Sequence, residues 1–197
     1  MKQILIATKN VGKINEFRHL MESQGVEVTS LLDIDEQLEI EETGLTFEAN
    51  ALIKARTIAR QYGTTVLADD SGLEIDALGG RPGVFSARYA GDSRCDDANM
   101  EKVLDELRDV PETERGARFV CVLAMVDAKG NEWVIRGECK GKILTAPRGT
   151  KGFGYDPIFY LPELGMTMAE LSKAEKSAIS HRGHAFKKLK ERMGEII

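Results

Sequence analysis

Two hydrophobic periods alternate along this chain, one of two residues and one close to 3.6, and that alternation restricts its fold more than any other feature. Gln3 to Ala7 is an apolar, β-branched run; beyond Thr8-Lys9-Asn10-Val11-Gly12-Lys13, the residues Ile14, Phe17, Leu20 and Met21 recur at helical spacing. Gly25 stands where a helix-ending glycine belongs, and Val26 and Val28 alternate as a second short strand. A second helix is expected with Thr46 as its N-cap, Phe47, Ala51, Ala55, Ile58, Ala59 and Tyr62 on one face, and Gly63 at its end. Val66-Leu67-Ala68 predicts a buried strand, and Leu73, Ile75 and Ala77 alternate after it, so Asp69-Asp70-Ser71-Gly72 is expected between two strands. Met100, Val103, Leu104 and Leu107 predict a helix that stops before Pro111. Phe119 to Val126 and Trp133 to Cys139 read as strands joined through Asp127 to Asn131, a hairpin-length connection. Ile158-Phe159-Tyr160 is a further strand, and Phe186, Leu189 and Met193 mark a terminal helix. Interleaved strands and helices predict an α/β fold, and the hairpin requires a mixed rather than all-parallel sheet. With no repeat or low-complexity linker, residues 1–197 are expected to form one domain, of a size that can divide into two lobes around a cleft.

Composition removes several classes. With 42% hydrophobic and 30% charged residues the chain has the profile of a soluble globular protein, not a disordered or membrane-spanning one. The net charge of −5 argues against nucleic acid as a partner, because such binding rests on a basic surface. That charge is unevenly placed. Residues 33–48 carry seven acids and no Lys or Arg, whereas 173–192 carry seven Lys or Arg against Glu175 and Glu191. Cys95, Cys121 and Cys139 are odd in number and far apart, which suggests neither a disulfide framework nor a zinc ribbon and fits a reducing cytoplasm. The apolar run Ile4 to Ala7 is too short for a signal peptide or a membrane span.

Four segments could carry chemistry. Thr8 to Lys13 lies between a strand and a helix, where backbone N–H groups and the helix dipole favour an anion, and Lys9 and Lys13 add charge. The Walker pattern is missing, and a plain turn with surface lysines is the other reading. Asp69-Asp70 is a pair best tolerated in solvent or around a divalent cation; Mg2+ takes one or two carboxylates and substrate phosphates, although Asp-Asp-Ser-Gly is equally good turn chemistry. Glu41 or Glu42 could add a ligand or be simple solvated charge. Gly152-Phe153-Gly154-Tyr155-Asp156-Pro157 could bring an aromatic face to a base, or be a tight loop with Phe153 in the core. Ser177 to His184, ahead of the final helix, offers His181 and Arg182 as donors to a ligand carbonyl, or Ser180 as a helix cap with basic neighbours.

In order along the chain, Thr8-Lys9-Asn10-Val11-Gly12-Lys13, Glu41-Glu42-Thr43-Gly44-Leu45-Thr46-Phe47, Ala68-Asp69-Asp70-Ser71-Gly72-Leu73, Gly80-Arg81-Pro82-Gly83-Val84-Phe85-Ser86-Ala87-Arg88-Tyr89, Gly152 to Pro157 and Ser180-His181-Arg182 resemble the inosine triphosphate pyrophosphatase family over nearly the whole chain. Each motif is unspecific alone; together they are distinctive. The resemblance implies an elongated mixed-sheet α/β fold with two lobes, a homodimer, and Mg2+-dependent hydrolysis of dITP, ITP and XTP to the monophosphate and pyrophosphate, cleansing the nucleotide pool. It implies that Thr8, Lys9, Asn10, Val11, Gly12 and Lys13 bind the triphosphate, with nothing catalytic resting on Lys9. Glu41 and Asp70 would hold Mg2+, Asp70 would be the general base on water, and Asp69 would support it. Ser71, Phe153, Gly154, Tyr155, Asp156, Lys176, His181 and Arg182 would complete the nucleotide site, with Phe153 against the base. The rival readings are a pyrophosphatase for pyrimidine or modified nucleotides and a non-catalytic nucleotide sensor.

Overall fold

The computed structural model describes residues 2–22, 25–34 and 40–196, so Asp35, Glu36 and Glu39 of the acidic run lie outside the described residues. The elements are β1 (Lys2–Ile6), α1 (Val11–Glu22), β2 (Val26–Ser30), α2 (Leu31–Ile34), α3 (Phe47–Tyr62), β3 (Val66–Ile75), α4 (Asp96–Glu106), β4 (Gly116–Val126), β5 (Glu132–Ile143), β6 (Phe159–Leu161), β7 (Met166–Thr167), α5 (Lys173–Ile179) and α6 (His181–Ile196). Seven strands form one sheet in the order β2-β1-β3-β4-β5-β6-β7. β1 is parallel to β2 and β3, while β5, β6 and β7 are antiparallel neighbours. The sheet is mixed, as the hairpin required.

The chain divides into two compact units, Met1–Asp70 with Val122–Arg136 and Ala185–Ile197, and Ser71–Cys121 with Gly137–His184. In the first, Ile4, Leu5, Ile6 and Ala7 are all buried, as befits a central parallel strand covered on both faces. The helical stripe of α1 supplies Ile14, Phe17 and Met21 to the same interior, where the Phe17 and Phe186 rings meet at 4.8 Å. α3 begins as its sequence dictates, with Thr46 Oγ1 accepting from Ala49 N at 3.1 Å, and ends at the left-handed Gly63. The second unit has its own core around Leu73, Ile75, Val103, Leu107, Phe119, Ile158 and Phe159.

Three local expectations change. β3 is continuous from Val66 to Ile75, so the acidic pair lies inside a strand, not between two. Pairing outcompetes turn chemistry there: Leu73 N donates to Ser86 Oγ (2.8 Å), Ile75 N to Arg81 O (3.2 Å), and Glu74 bridges Pro82. α1 starts at Val11, because Asn10 Oδ1 accepts from Lys13 N (3.1 Å) and caps the first turn. His181 and Arg182 do not precede the last helix but open it. Ser180 takes the cap position, its Oγ accepting from Gly183 N at 3.1 Å, and separates α6 from α5.

This close junction of α5 and α6 depends on glycine at 183. A Cβ there would stand 1.9 Å from Ser177 O, so the two helices would have to part. Gly183→Ala is expected to cost about 1–3 kcal/mol through overpacking, measured by chemical denaturation. An unchanged midpoint would show that the junction yields freely.

Candidate functional site

The expected residues gather in two groups, one in each unit. In the first unit, Thr8, Lys9 and Asn10 form the connection after β1, and Val11, Gly12 and Lys13 are the first turn of α1, whose leading N–H groups have no partner within the helix. Thr8 Oγ1 accepts from Asn10 N at 3.2 Å and holds the turn. Lys13 reaches β3: its Nζ lies 2.6 Å from Oδ2 of Asp69, a carboxylate only 1% exposed. Successive strand residues leave by opposite faces, so Asp70 points away from Asp69 and has different partners. Its Oδ1 is 3.6 Å from Lys54 Nζ, which is also 2.8 Å from Glu42 Oε1.

Glu41 is exposed, and Glu42 is the carboxylate that shares a lysine with Asp70. Each acid of this set has a basic partner: Asp69 has Lys13, and Asp70 and Glu42 share Lys54. Three carboxylates against two ammonium groups leave a negative excess. Asp70 Oδ2 is buried and has no hydrogen-bond partner among the described residues. Burial pushes the Asp70 carboxyl up to about 6; Lys54 opposes the shift, while Glu42 and Asp69 add to it. Burial works against the charge on Lys54, yet Asp70, Asp69 and Glu42 outweigh it and hold the ammonium above its ordinary range. A buried oxygen donor without a partner, in a cluster of net negative charge, suits a hard divalent cation. A carboxyl that titrates close to neutrality suits a general base.

Asn50 and Lys54 are the residues that sequence reasoning missed. Asn50 is 2% exposed; its Oδ1 accepts from Gly44 N at 2.7 Å, and its side chain favours the ionised form of the Asp70 carboxyl. It therefore ties the segment that follows Glu41 and Glu42 to the acid on β3. Both residues were detectable. Phe47, Asn50, Ala51, Lys54, Ala55 and Ile58 follow helical spacing, so two polar residues fall within the buried stripe of α3, and buried polar groups require partners.

The second group lies in the second unit. The Phe153 ring is 44% exposed and has two cations over it, Lys176 Nζ 4.9 Å and Arg182 Cζ 5.1 Å from its centre. It is not a core residue. Asp156 is buried, and its Oδ2 accepts from Phe153 N at 2.9 Å and from Lys176 Nζ. One carboxylate thus fixes both the aromatic loop and the lysine. Gly154 N donates to Asp96 Oδ2 (2.7 Å), and the Tyr155 hydroxyl to Ser86 O (2.7 Å). His181 is buried, and its ring stacks on Phe119 with centres 5.0 Å apart and planes at 21°. Arg182 is buried beside it in the first turn of α6. Ser71, next after Asp70 on β3, is half-buried and belongs to this unit. Aromatic face and donors are what recognition of a flat heterocycle with a carbonyl requires.

A family model described as the Ham1 family matches residues 4–192. A dITP/XTP pyrophosphatase of Bacillus cereus is 52% identical over 197 residues, covering 99% of this chain and 96% of its own. A dITP/XTP pyrophosphatase of Halalkalibacterium halodurans is 54% identical over 189 residues, 96% of this chain and 97% of its own. The solved structure of the Ham1 protein of Staphylococcus aureus superposes with a TM-score of 0.92 at 44% identity, covering 100% of both chains.

Proposed function

The chain belongs to the Ham1 family, and we propose that it is a Mg2+-dependent pyrophosphatase that hydrolyses dITP, ITP and XTP to the nucleoside monophosphate and pyrophosphate. The enzyme class rests on relatives that bear this activity in their names and share about half of the residues over nearly the full length. The observation in the molecule that carries the reading is the buried Asp70, with a carboxyl near pH 6 and an oxygen awaiting a partner.

In this reading the first-unit group handles the triphosphate and the attacking water. The N-terminal N–H groups of α1 and the Lys13 ammonium bind phosphate oxygens, and Asp69 keeps Lys13 aimed. Glu41 and Asp70 hold Mg2+, with Glu42 and Lys54 balancing the local charge. When bound, the ion supplies charge neutralisation on the phosphates. Asp70 accepts the proton of the attacking water.

The second-unit group reads the base. Phe153 presents its face, and Lys176, His181 and Arg182 present donors suited to the 6-oxo group of a purine. A 6-amino group would leave such donors unpaired at a cost of about 1–3 kcal/mol, which rejects adenine. The enzyme acts as a homodimer in the cytoplasm on a small-molecule substrate. Among the described residues no helix is long and apolar enough to cross a membrane.

The test is a substrate panel read as pyrophosphate release, with and without Mg2+. Turnover of ITP, dITP and XTP is expected to exceed that of ATP by about 10- to 10²-fold and to vanish with chelator. Equal turnover of ATP and ITP overturns the base reading. Preference for dTTP or UTP assigns a pyrimidine substrate instead, and tight ITP binding without product makes the protein a sensor.

A further inference from the structure

Gly80 to Tyr89 is the one motif of the six that contributes no residue to either group, yet it is fastened to both β3 and the aromatic loop. Beyond the residues that β1 pairs, the edge of β3 is covered by this segment, with the bridge at Glu74 and Pro82 and the bond from Ile75 N to Arg81 O. Ser86 sits at the crossing point and is buried. Its Oγ accepts from Leu73 N at 2.8 Å and donates to Gly83 O at 2.6 Å, which occupies the hydroxyl as donor and as acceptor. Its carbonyl accepts the Tyr155 hydroxyl at 2.7 Å.

Tyr155 is 5% exposed, so its hydroxyl is turned inward and is spent on this contact. Burial pushes the phenol up, further from ionisation, and it remains a proton donor across the working pH range. Phe153, two residues earlier, is held differently. Its ring is half-exposed, with Lys176 and Arg182 over it, so the backbone of its loop and these two cations set its direction. Among the ties on that backbone are those from Phe153 N to Asp156, from Gly154 N to Asp96, and from the Tyr155 hydroxyl to Ser86. The last of these joins the loop to the segment that covers β3.

We propose that Tyr155 and Ser86 are positioning residues for base recognition, a pair that fixes the face of Phe153 relative to β3 two residues after Ser71. Tyr155 thereby acts through Phe153 and not by touching the nucleotide. The inference rests on the reading of Phe153 as the platform for the base. Tyr155→Phe removes one oxygen and keeps the ring packed, so the loop stays folded but is less well aimed.

The experiment compares wild type with Tyr155→Phe and Ser86→Ala by steady-state kinetics on ITP, by competitive inhibition with tripolyphosphate, and by backbone hydrogen exchange. In Tyr155→Phe the KM for ITP is expected to rise about 5- to 20-fold with kcat within about twofold, while the Ki for tripolyphosphate, which has no base, stays unchanged. Amides of residues 152–156 are expected to exchange about tenfold faster. Ser86→Ala keeps the carbonyl that accepts from Tyr155, so it should lower stability, because Leu73 N loses its acceptor, while moving KM and loop exchange less than Tyr155→Phe does. A KM and exchange rate like those of wild type overturn the proposal, and so does a parallel rise in KM and Ki. If wild type fails to turn over ITP, the functional reading falls, and the exchange rates alone decide whether the pair holds the loop.

Discussion

Asp70→Asn is expected to abolish turnover while making the metal-free protein more stable. The folded chain holds the Asp70 proton more tightly than an unfolded chain does, with a carboxyl near 6 against an ordinary value of 3.8. The folded state therefore gains stability as pH falls from 6 towards 3.8 and carries the full cost of the buried charge above 6. That cost is about 3 kcal/mol. Asparagine has nearly the same shape and no charge, so it removes the cost and its pH dependence together. With chelator present, the variant should melt about 5–10 °C above wild type at pH 8, and the gap should close as pH approaches 4. With Mg2+ and ITP, kcat should fall at least about 10³-fold. Loss of activity with a gain in stability separates a chemical role from a folding role. A variant no more stable than wild type at pH 8 would mean that the buried carboxylate is already relaxed.

Gly152→Ala should have the next largest effect. At 152 the backbone has a φ of +80°, which an L side chain rarely adopts, and a Cβ would lie 1.9 Å from Asp156 Oδ2. The substitution therefore strikes the carboxylate that holds both Phe153 N and Lys176. Asp156 has to shift, and the aromatic face and the lysine shift with it. A loss of at least about 10²-fold in kcat/KM for ITP is expected, with tripolyphosphate inhibition intact. Equal loss of both would show that the damage spreads beyond the loop.

Much of the fold could be read locally because the local signals agreed with one another. α3 has its threonine cap, its apolar stripe and its closing glycine, and the hairpin between β4 and β5 has the length of its connection. The acidic pair was different. Asp-Asp-Ser-Gly favours a turn by itself, and what keeps it in a strand is pairing within the sheet between β1 and β4, with Ser86 beyond it, partners that no local window contains. The same holds for its electrostatics. Adjacent carboxylates suggest mutual repulsion, but alternation along the strand sends each to its own lysine, and Asp69 is the smallest of the influences on Asp70, behind burial. Lys13 is 56 residues from Asp69 in sequence, a separation that spacing arguments cannot bridge. Lys54 escaped for another reason: a lysine among alanines reads as surface charge until the stripe around it is drawn out.

The paired charges from Lys13 to Glu42 also mean that this protein supplies its own counterions. A polyanion entering it does not meet bare ammonium groups waiting in solvent. It must take Lys13 from Asp69, and a cation arriving at Asp70 must take a place beside Lys54. In the proposed function, binding would then be an ion exchange, in which internal carboxylates give up their lysines to phosphate and turn to the incoming metal. Charge would be redistributed more than added, so that arrival of the metal and arrival of the triphosphate would each favour the other.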